Sequence, residues 1–163
     1  MKGKVIRSVA RGWSGVEPQG YAAGMPETGV TRHTIVGSRK ESPDRGGPEM
    51  ELRYFEVQPG AASRLEKHGH EHYVIVRKGR GYAVIGDTLT ELRPDDVVYV
   101  GPLELHQFVN GGDEPFGFYC LVDSRRDFPQ PPTSEELERL KRSPAGAVAQ
   151  PFAVPFAVKT PVR

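Results

Sequence analysis

The stretch Glu66-Lys67-His68-Gly69-His70-Glu71-His72 places three imidazoles and two carboxylates within seven residues. It leads into the apolar run 74–76 and is closed by Gly79, and a second segment leads from Pro94 to a further histidine, His106. Imidazole and carboxylate are ligands for first-row metals, and short strands ended by Gly and Pro are typical of small β-barrels. The sequence therefore predicts a divalent transition-metal ion held inside a β-barrel.

Turn residues divide residues 50–122 into short runs that have the composition of strands. None of the intervening stretches shows a helical period, so the pattern indicates an antiparallel sandwich or barrel. Residues 85–88, Ile-Gly-Asp-Thr, are typical of a tight hairpin. The predicted strands are 50–58, 63–68, 72–76, 81–85, 88–92, 97–100, 106–109 and 116–122. The predicted fold class is all-β.

The flanking segments differ from this central region. Residues 1–48 are rich in Gly and Pro and contain one strand-like run at 30–36, which predicts an arm around the barrel or a partner subunit. After residue 127, prolines end the last strand, and residues 133–136 form a capping box ahead of a short helix. The predicted organisation is an arm over 1–48, a barrel over 49–127, and a short helix with an extended tail over 128–163. Within the tail, Pro-Phe-Ala-Val occurs twice over 151–158, which predicts that Phe152 and Phe156 dock on the barrel or on a partner.

The composition favours a compact protein without a charged macromolecular partner. With 22 Lys and Arg against 21 Asp and Glu, no charge excess favours nucleic acid or an acidic membrane surface. A single cysteine, Cys120, cannot form an internal disulfide, which favours a reducing compartment. The basic start lacks the apolar run of a secretory signal, and no stretch approaches the roughly 20 apolar residues of a membrane span. We expect a cytoplasmic protein with a small-molecule substrate, and a homodimer because of the long arms and exposed sheet edges.

Strand alternation selects the candidate metal ligands. Side chains repeat every two residues along a strand, so Arg64, Glu66 and His68 share one face, and His72 opens the next strand after a short turn. Together with the histidine of the second segment, the predicted ligand set is Glu66, His68, His72 and His106. His70 would lie at the tip of the turn, where we expect a solvated ring that does not bind metal. The alternative is a solvated, histidine-rich loop without a metal.

Both segments resemble the two motifs of the cupin superfamily, and the resemblance covers about residues 50–122. The first motif begins at Gly60 and ends at Gly79; Glu66 and His68 stand at its two histidine positions, and His72 stands where a glutamate is usual. The second motif matches Pro94, His106 and Asn110, with Asp96 in place of its glycine. The resemblance implies a jelly-roll barrel with three histidines and one carboxylate around a metal. It leaves the reaction open, because cupins include dioxygenases, isomerases, lyases, decarboxylases and binding proteins.

The single thiol is the candidate nucleophile. Cys120 and His106 are symmetric about the turn at 113, so both are predicted to point into the barrel. Cys120 is either ordinary core or a thiol activated by a nearby cation. The segments 53–57, 65–68, 106–108, 117–120 and 125–127 resemble a bacterial cupin group that includes the manganese-dependent methylthioxylulose-phosphate methylsulfurylases of methionine salvage. That resemblance implies attack by Cys120 on a methylthio sulfur, with the metal stabilising the enolate of the neighbouring ketone.

Three functions remain open at this level. The first is a metalloenzyme acting on a carbonyl or sugar-phosphate-like substrate, the second an iron dioxygenase, and the third a non-catalytic small-molecule-binding cupin. Manganese is the first choice of metal, and iron, nickel and zinc are alternatives with the same ligands. A phosphate ester would need cations, for which Arg53, Arg64 and Arg77 are candidates, and Tyr82 and Tyr99 are candidates for the cavity wall. For each of these residues the alternative is an ordinary solvated or core role.

Overall fold

The computed structural model describes residues 3–10, 12–21, 28–41 and 43–151. Its strands are β1 (Ser8–Val9), β2 (Gly12–Trp13), β3 (Pro18–Gly20), β4 (Val30–Val36), β5 (Met50–Val57), β6 (His72–Lys78), β7 (Gly81–Ile85), β8 (Thr88–Leu92), β9 (Val97–Val100), β10 (His106–Val109) and β11 (Phe116–Asp123). One α-helix, α1, spans Ser134–Lys141, and short 3₁₀ turns span Arg39–Glu41, Pro43–Arg45 and Pro144–Ala147. The all-β prediction is confirmed.

Two antiparallel sheets enclose the core. The larger has the order β3-β4-β5-β11-β6-β9 and the smaller the order β10-β7-β8, while β1 and β2 form a separate ribbon. Apolar side chains from both sheets meet in one buried cluster that includes Phe55, Val76, Ala83, Phe108 and Phe118. The predicted hairpin is confirmed, because Ile85 pairs with Thr88.

The segment 61–68 departs from its predicted strand. It makes only isolated bridges, from Ala62 to Val109, from Glu66 to His106 and from Lys67 to Gln130. The reason lies at Ser63, whose side-chain Oγ accepts the Phe108 N–H at 2.9 Å. A side-chain oxygen thus takes the place of a backbone carbonyl, and the regular ladder is interrupted.

Gly79, which closes the first sequence motif, is required by a close approach of the backbone. Its φ is 69°, a conformation that few residues other than glycine adopt, and an added Cβ would lie 2.4 Å from the carbonyl oxygen of Pro115. The turn between β6 and β7 therefore packs directly against the start of β11.

The flanking segments are partly integrated into the barrel. The strand predicted at 30–36 is confirmed, and β4 pairs with β5 inside the larger sheet. The division into arm, barrel and tail remains a prediction, and the predicted docking of Phe152 and Phe156 lies outside the described residues. No helix among the described residues is long and apolar enough to cross a membrane.

Helix α1 begins as its sequence predicts. The Thr133 side chain accepts the Glu136 N–H at 3.2 Å, and the Glu136 carboxylate accepts the Thr133 N–H at 2.7 Å. The same carboxylate pairs with Lys67 at 2.7 Å, and Leu140 is buried against the smaller sheet. The capping box thus sets the start of α1, and the Lys67–Glu136 ion pair holds that start against the irregular segment 61–68.

The replacement Thr133→Ala is expected to lower the free energy of unfolding by about 1 kcal/mol, because it leaves an N-terminal N–H of the helix without its acceptor. Urea denaturation measures the change. Ser134→Ala is the matched control, since that residue begins the helix without acting as its cap. Equal stability of the two variants would contradict this account.

Candidate metal centre

Three of the four predicted ligands meet between the two sheets. His72 is the first residue of β6, His106 is the first residue of β10, and His68 lies in the turn that precedes β6. One ring nitrogen of each lies within 4.8 Å of those of the other two, and all three side chains are buried. The strand starts thus bring together imidazoles that are up to 38 residues apart in sequence.

Hydrogen bonds fix which nitrogen faces the centre. His68 Nδ1 lies 2.9 Å from the carbonyl oxygen of His70, and His106 Nδ1 lies 2.9 Å from that of Glu104. A carbonyl oxygen only accepts, so each Nδ1 carries the hydrogen and each Nε2 presents its lone pair. His68 Nε2 is buried and has no hydrogen-bond partner among the described residues. This is the arrangement of histidines that bind a metal.

The rings are held in the neutral form that a metal requires. Burial lowers the pKa of His68 to about 3 and that of His106 to about 4, and it lowers the pKa of His72 well below its usual value. Neighbouring histidines lower the values further, since two imidazolium ions this close would repel. The donor set therefore fits a divalent transition metal better than an anion.

Glu66 lies beside this cluster but is held by other groups. Its backbone pairs with that of His106 through hydrogen bonds of 3.1 and 2.9 Å. Its carboxylate accepts the Tyr21 hydroxyl at 3.4 Å and lies 3.7 Å from Arg64. The carboxylate lines the same cavity as His72 and His106. Its role as a metal ligand remains a prediction.

His70 does not have the solvated ring that the sequence predicted. Its side chain is only 9% exposed and stacks on His68, with ring centroids 3.6 Å apart. Its Nδ1 lies 2.6 Å from the carboxylate of Asp127, in the segment after β11. The prediction failed because the ring folds back over its own turn and meets a residue 57 positions away.

Cys120 lines the same cavity as His106, as the symmetry about the 113 turn predicted. It is buried on β11, where its Sγ lies 3.5 Å from His72 Nδ1 and 3.1 Å from a terminal nitrogen of Arg53. Arg53 is its direct cross-strand neighbour on β5, so the two side chains share the inward face. Burial raises the pKa of the Cys120 thiol, and the Arg53 guanidinium partly offsets that effect.

Arg53 belongs to a buried ionic network with Glu51 and Arg126. Arg126 makes hydrogen bonds of 2.6 and 3.1 Å to the two carboxylate oxygens of Glu51, and Arg53 Nε lies 3.8 Å from the same carboxylate. Two guanidinium groups therefore share one carboxylate. Sequence patterns did not identify Glu51 or Arg126, because only the pairing of β5 with β11 brings these positions together.

Three of the residues suggested for the cavity lie elsewhere. Arg77 packs over Trp13, Tyr54 and Tyr119 on the outer face of the larger sheet. Tyr99 is half exposed on β9, and Tyr82 packs in a second apolar cluster beside α1. Strand parity explains the errors: these side chains point to the opposite face or belong to a different layer.

Two adjoining cavities meet at the histidines. The inner one, of about 30 Å³, is lined by Cys120, Glu66, His72 and His106 among others. The outer one, of about 150 Å³, is lined by the histidines at 68, 70 and 72 and by four arginines, at positions 32, 53, 64 and 126. The histidine cluster thus opens into a space that is lined by four arginines.

A two-sheet antiparallel barrel with a histidine cluster between the starts of its strands is the architecture of the cupins. The family described as the cupin domain matches residues 53–122. This chain belongs to the cupin superfamily.

Among the relatives, 1-methylthio-D-xylulose 5-phosphate methylsulfurylase of Rhodospirillum rubrum is 39% identical over 137 residues, which cover 83% of each chain. A solved cupin-2 domain from Rhodospirillum rubrum superposes with a TM-score of 0.72 at 39% identity, covering 86% of this chain and 90% of that one. A cupin 2 conserved barrel protein from Rhodopseudomonas palustris also gives a TM-score of 0.72, at 32% identity, covering 86% and 94%.

Proposed function

We propose that this protein is a metal-dependent cupin enzyme that transfers the methylthio sulfur of a ketose phosphate to Cys120. The observation that carries the proposal is the position of the thiol, 3.1 Å from a guanidinium nitrogen and 3.5 Å from an imidazole of the histidine cluster. Burial raises the pKa of the Cys120 thiol, and the Arg53 guanidinium opposes that effect and so favours the thiolate, which is the nucleophilic form. The name of the 39% identical Rhodospirillum rubrum relative supports the same reaction.

The proposed metal ligands are Glu66, His68, His72 and His106, and the proposed metal is manganese, with iron, nickel and zinc as alternatives. A divalent cation at this position would act as a Lewis acid on a ketone oxygen and favour negative charge on it. His68 and His106 contribute neutral rings whose Nδ1 atoms bond to backbone carbonyls, which leaves their Nε2 lone pairs for the metal. Glu66 would supply the carboxylate that hard cations such as Mn²⁺ prefer.

The proposed reaction at Cys120 has two steps. The thiolate attacks the methylthio sulfur, an S–S bond forms, and the C–S bond breaks with its electron pair moving to the carbon next to the ketone. That carbon is reduced and takes a proton, while Cys120 is oxidised to a methyl disulfide. Because the sequence contains one cysteine, a small thiol from solution completes the cycle. Its thiolate attacks the methylthio sulfur, a new mixed methyl disulfide forms, and the S–S bond to Cys120 breaks with its electron pair, which regenerates the Cys120 thiolate.

The four arginines support a phosphate ester as substrate. Within the outer cavity, Arg64 is close to Glu66 and Arg126 is paired with Glu51. Arg32 is different: its terminal nitrogen binds Gln19, but its buried Nε has no hydrogen-bond partner in the part of the chain that is described. A phosphate oxygen is a suitable acceptor for that N–H.

The replacement Arg32→Gln is expected to raise KM for the phosphorylated substrate about tenfold or more, with a smaller effect on kcat. A hydrogen bond between charged groups contributes about 1.5–3 kcal/mol. Arg32 bonds to Gln19, whereas the thiol contacts Arg53 and His72. Steady-state kinetics measure the effect. Arg93→Gln is the matched control, because that side chain is 75% exposed. Equal KM values for the two variants would contradict this role.

Turnover itself distinguishes the three candidate functions. The protein loaded with Mn²⁺ is mixed with 1-methylthio-D-xylulose 5-phosphate and a small thiol, and release of the methylthio group is followed. Sulfur transfer supports the proposal. Substrate-dependent oxygen uptake by the iron-loaded protein would instead indicate a dioxygenase, and binding without turnover would indicate a non-catalytic cupin.

The proposal includes a cytoplasmic location and a homodimer. A cysteine nucleophile has to stay reduced, which favours a reducing compartment. On the outer face of the larger sheet, Tyr73 and Ile75 of β6 and Val97 and Tyr99 of β9 are each 42–70% exposed. These four side chains form an apolar patch on β6 and the edge strand β9. A second copy of the chain would cover this patch.

A further inference from the structure

The inner cavity has a polar end and an apolar end. At the polar end, Cys120 Sγ lies 3.1 Å from a guanidinium nitrogen of Arg53. The apolar end is formed by three rings that line the same cavity, those of Phe55, Phe108 and Phe118. Phe118 lies two residues before Cys120 on β11, so its ring and the thiol share the inward face of the strand, roughly 7 Å apart along it. The nucleophile of the proposed reaction therefore faces apolar rings.

Packing across both sheets fixes the positions of these rings. Phe118 on β11 is paired with Phe55 on β5, with ring centroids 5.6 Å apart, and Phe108 approaches Phe118 from the smaller sheet at 4.7 Å. None of the three residues is more than 6% exposed. Close-packed interiors accept added volume only at a cost, because side chains have to leave their preferred rotamers. The apolar end of the cavity therefore has a defined size.

The inner cavity is small, with a volume of about 30 Å³. A group of the size of a water molecule requires about 10–15 Å³ of such a cavity, so the space holds about two to three of them. Sulfur and a methyl group are each larger than a water molecule's oxygen, so a methylthio group, with one of each, fills this space. An ethylthio group has one more carbon, for which a packed ring would have to move. The cavity therefore suits the smallest alkylthio group.

The proposed metal site leaves the apolar end of this cavity open. His68 lines the outer cavity, whereas Phe108 and Phe118 line the inner one. His72 lies between the two: its Nδ1 faces Cys120, and its Nε2 faces the ring of His70 in the outer cavity. An ion shared by His68 and His72 would therefore lie toward the outer cavity, and the space beside the rings remains available to a substrate.

The direction of attack sends the methyl group toward the rings. A thiolate attacks a sulfur atom in line with the bond that breaks, so the sugar carbon leaves on the side away from Cys120. The methyl group on the same sulfur then lies at roughly a right angle to this line. In the proposed function, the arginines of the outer cavity hold the phosphate end of the substrate. The apolar end of the inner cavity is the space left for the methyl group.

We infer that the apolar end of the inner cavity is the subsite for the S-methyl group, and that the ring of Phe118 limits the transferred group to methyl. The inference rests on the sulfur transfer of the proposed function and adds to it the residue that sets the specificity. In an apolar pocket, one methylene more or less changes kcat/KM about 10–200-fold. An S-ethyl group should therefore be discriminated against by at least tenfold.

The test labels the full-length protein with methyl, ethyl and propyl methanethiosulfonate. These reagents need neither metal nor a ketose phosphate: the Cys120 thiolate attacks the alkylthio sulfur, an S–S bond forms, and methanesulfinate leaves with the electron pair. Because the sequence contains one cysteine, mass spectrometry of the intact chain follows labelling at Cys120 alone. Rates are divided by those of the same chain unfolded in urea, where no cavity exists. The folded protein should then prefer the methyl reagent to the ethyl one by at least tenfold.

A replacement in the cavity wall tests the role of Phe118. Phe118→Leu should raise the ratio of ethyl to methyl labelling at least tenfold, because leucine is smaller than phenylalanine. Phe116→Leu is the matched control, since that ring is fully buried on the same strand and does not belong to the described wall of the inner cavity. The ratio should remain that of the wild type in the control, because a general loss of stability affects both reagents alike.

Four outcomes would count against these assignments, each in a different way. Equal normalised rates for the three reagents, or no reaction of the folded protein with the methyl reagent, would overturn the subsite. Equal changes of the ratio in Phe118→Leu and Phe116→Leu would overturn the role of Phe118. Methyl selectivity without turnover of 1-methylthio-D-xylulose 5-phosphate would retain the subsite and overturn the proposed function. Turnover of its S-ethyl analogue with a similar kcat/KM would overturn the subsite and retain the sulfur transfer.

Discussion

The replacement His106→Ala is expected to abolish binding of the divalent metal and to lower the thermal stability of the metal-loaded protein. His106 supplies one of three ring nitrogens that lie within 4.8 Å of one another, and its Nδ1 contact with the Glu104 carbonyl fixes the ring direction. A bound ion stabilises the fold by about 2.7 kcal/mol at 100 times its dissociation constant. For a domain of this size, that loss lowers Tm by about 5–10 °C.

Elemental analysis of the purified variant, followed by thermal unfolding with and without added metal, measures both effects. The backbone bridge between His106 and Glu66 does not depend on the side chain, so the variant should still fold. His33→Gln is the matched control, because it changes a buried histidine on the outer face and should leave metal content unchanged. Wild-type metal content in His106→Ala would disprove the assignment.

The replacement Cys120→Ser is expected to keep the metal and to reduce turnover by several orders of magnitude. A serine hydroxyl is far less ionised at neutral pH than a thiol, and its oxygen is a much weaker nucleophile toward sulfur. The side chain keeps its position opposite Arg53, so the cavity should change little. Single-turnover kinetics and metal analysis of the same sample measure the two properties together.

Mass spectrometry of the wild-type protein gives an independent measurement. With substrate present and the small thiol omitted, the peptide containing Cys120 should carry one methylthio group that a reductant removes. Cys120→Ala serves as the second variant and should be equally inactive, since it lacks any nucleophile. Turnover of Cys120→Ser within about tenfold of wild type would show that the thiol is ordinary core.

The sequence was sufficient for the fold class and for the proximity of His68 and His72. Only three residues separate His68 from His72, so the short turn between them keeps the two rings close. Along a strand, side chains alternate with a fixed period of two. The inward direction of Cys120 followed from the same local rule. The proximity of His68 and His72 was predictable because it depends on a single short turn. His106, 34 residues beyond His72, was selected by its match to the second cupin motif.

The contacts between distant segments depend on how the two sheets pack. Ser63 interrupts a predicted strand because its hydroxyl meets a backbone N–H of β10, which no local pattern reveals. The contact between Asp127 and His70 spans 57 residues, and that between Arg126 and Glu51 spans 75. Sequence alone determined which residues could bind a metal or act as a nucleophile. Only the tertiary structure decided which of them meet, because distances between strands far apart in sequence depend on sheet order and register rather than on local spacing.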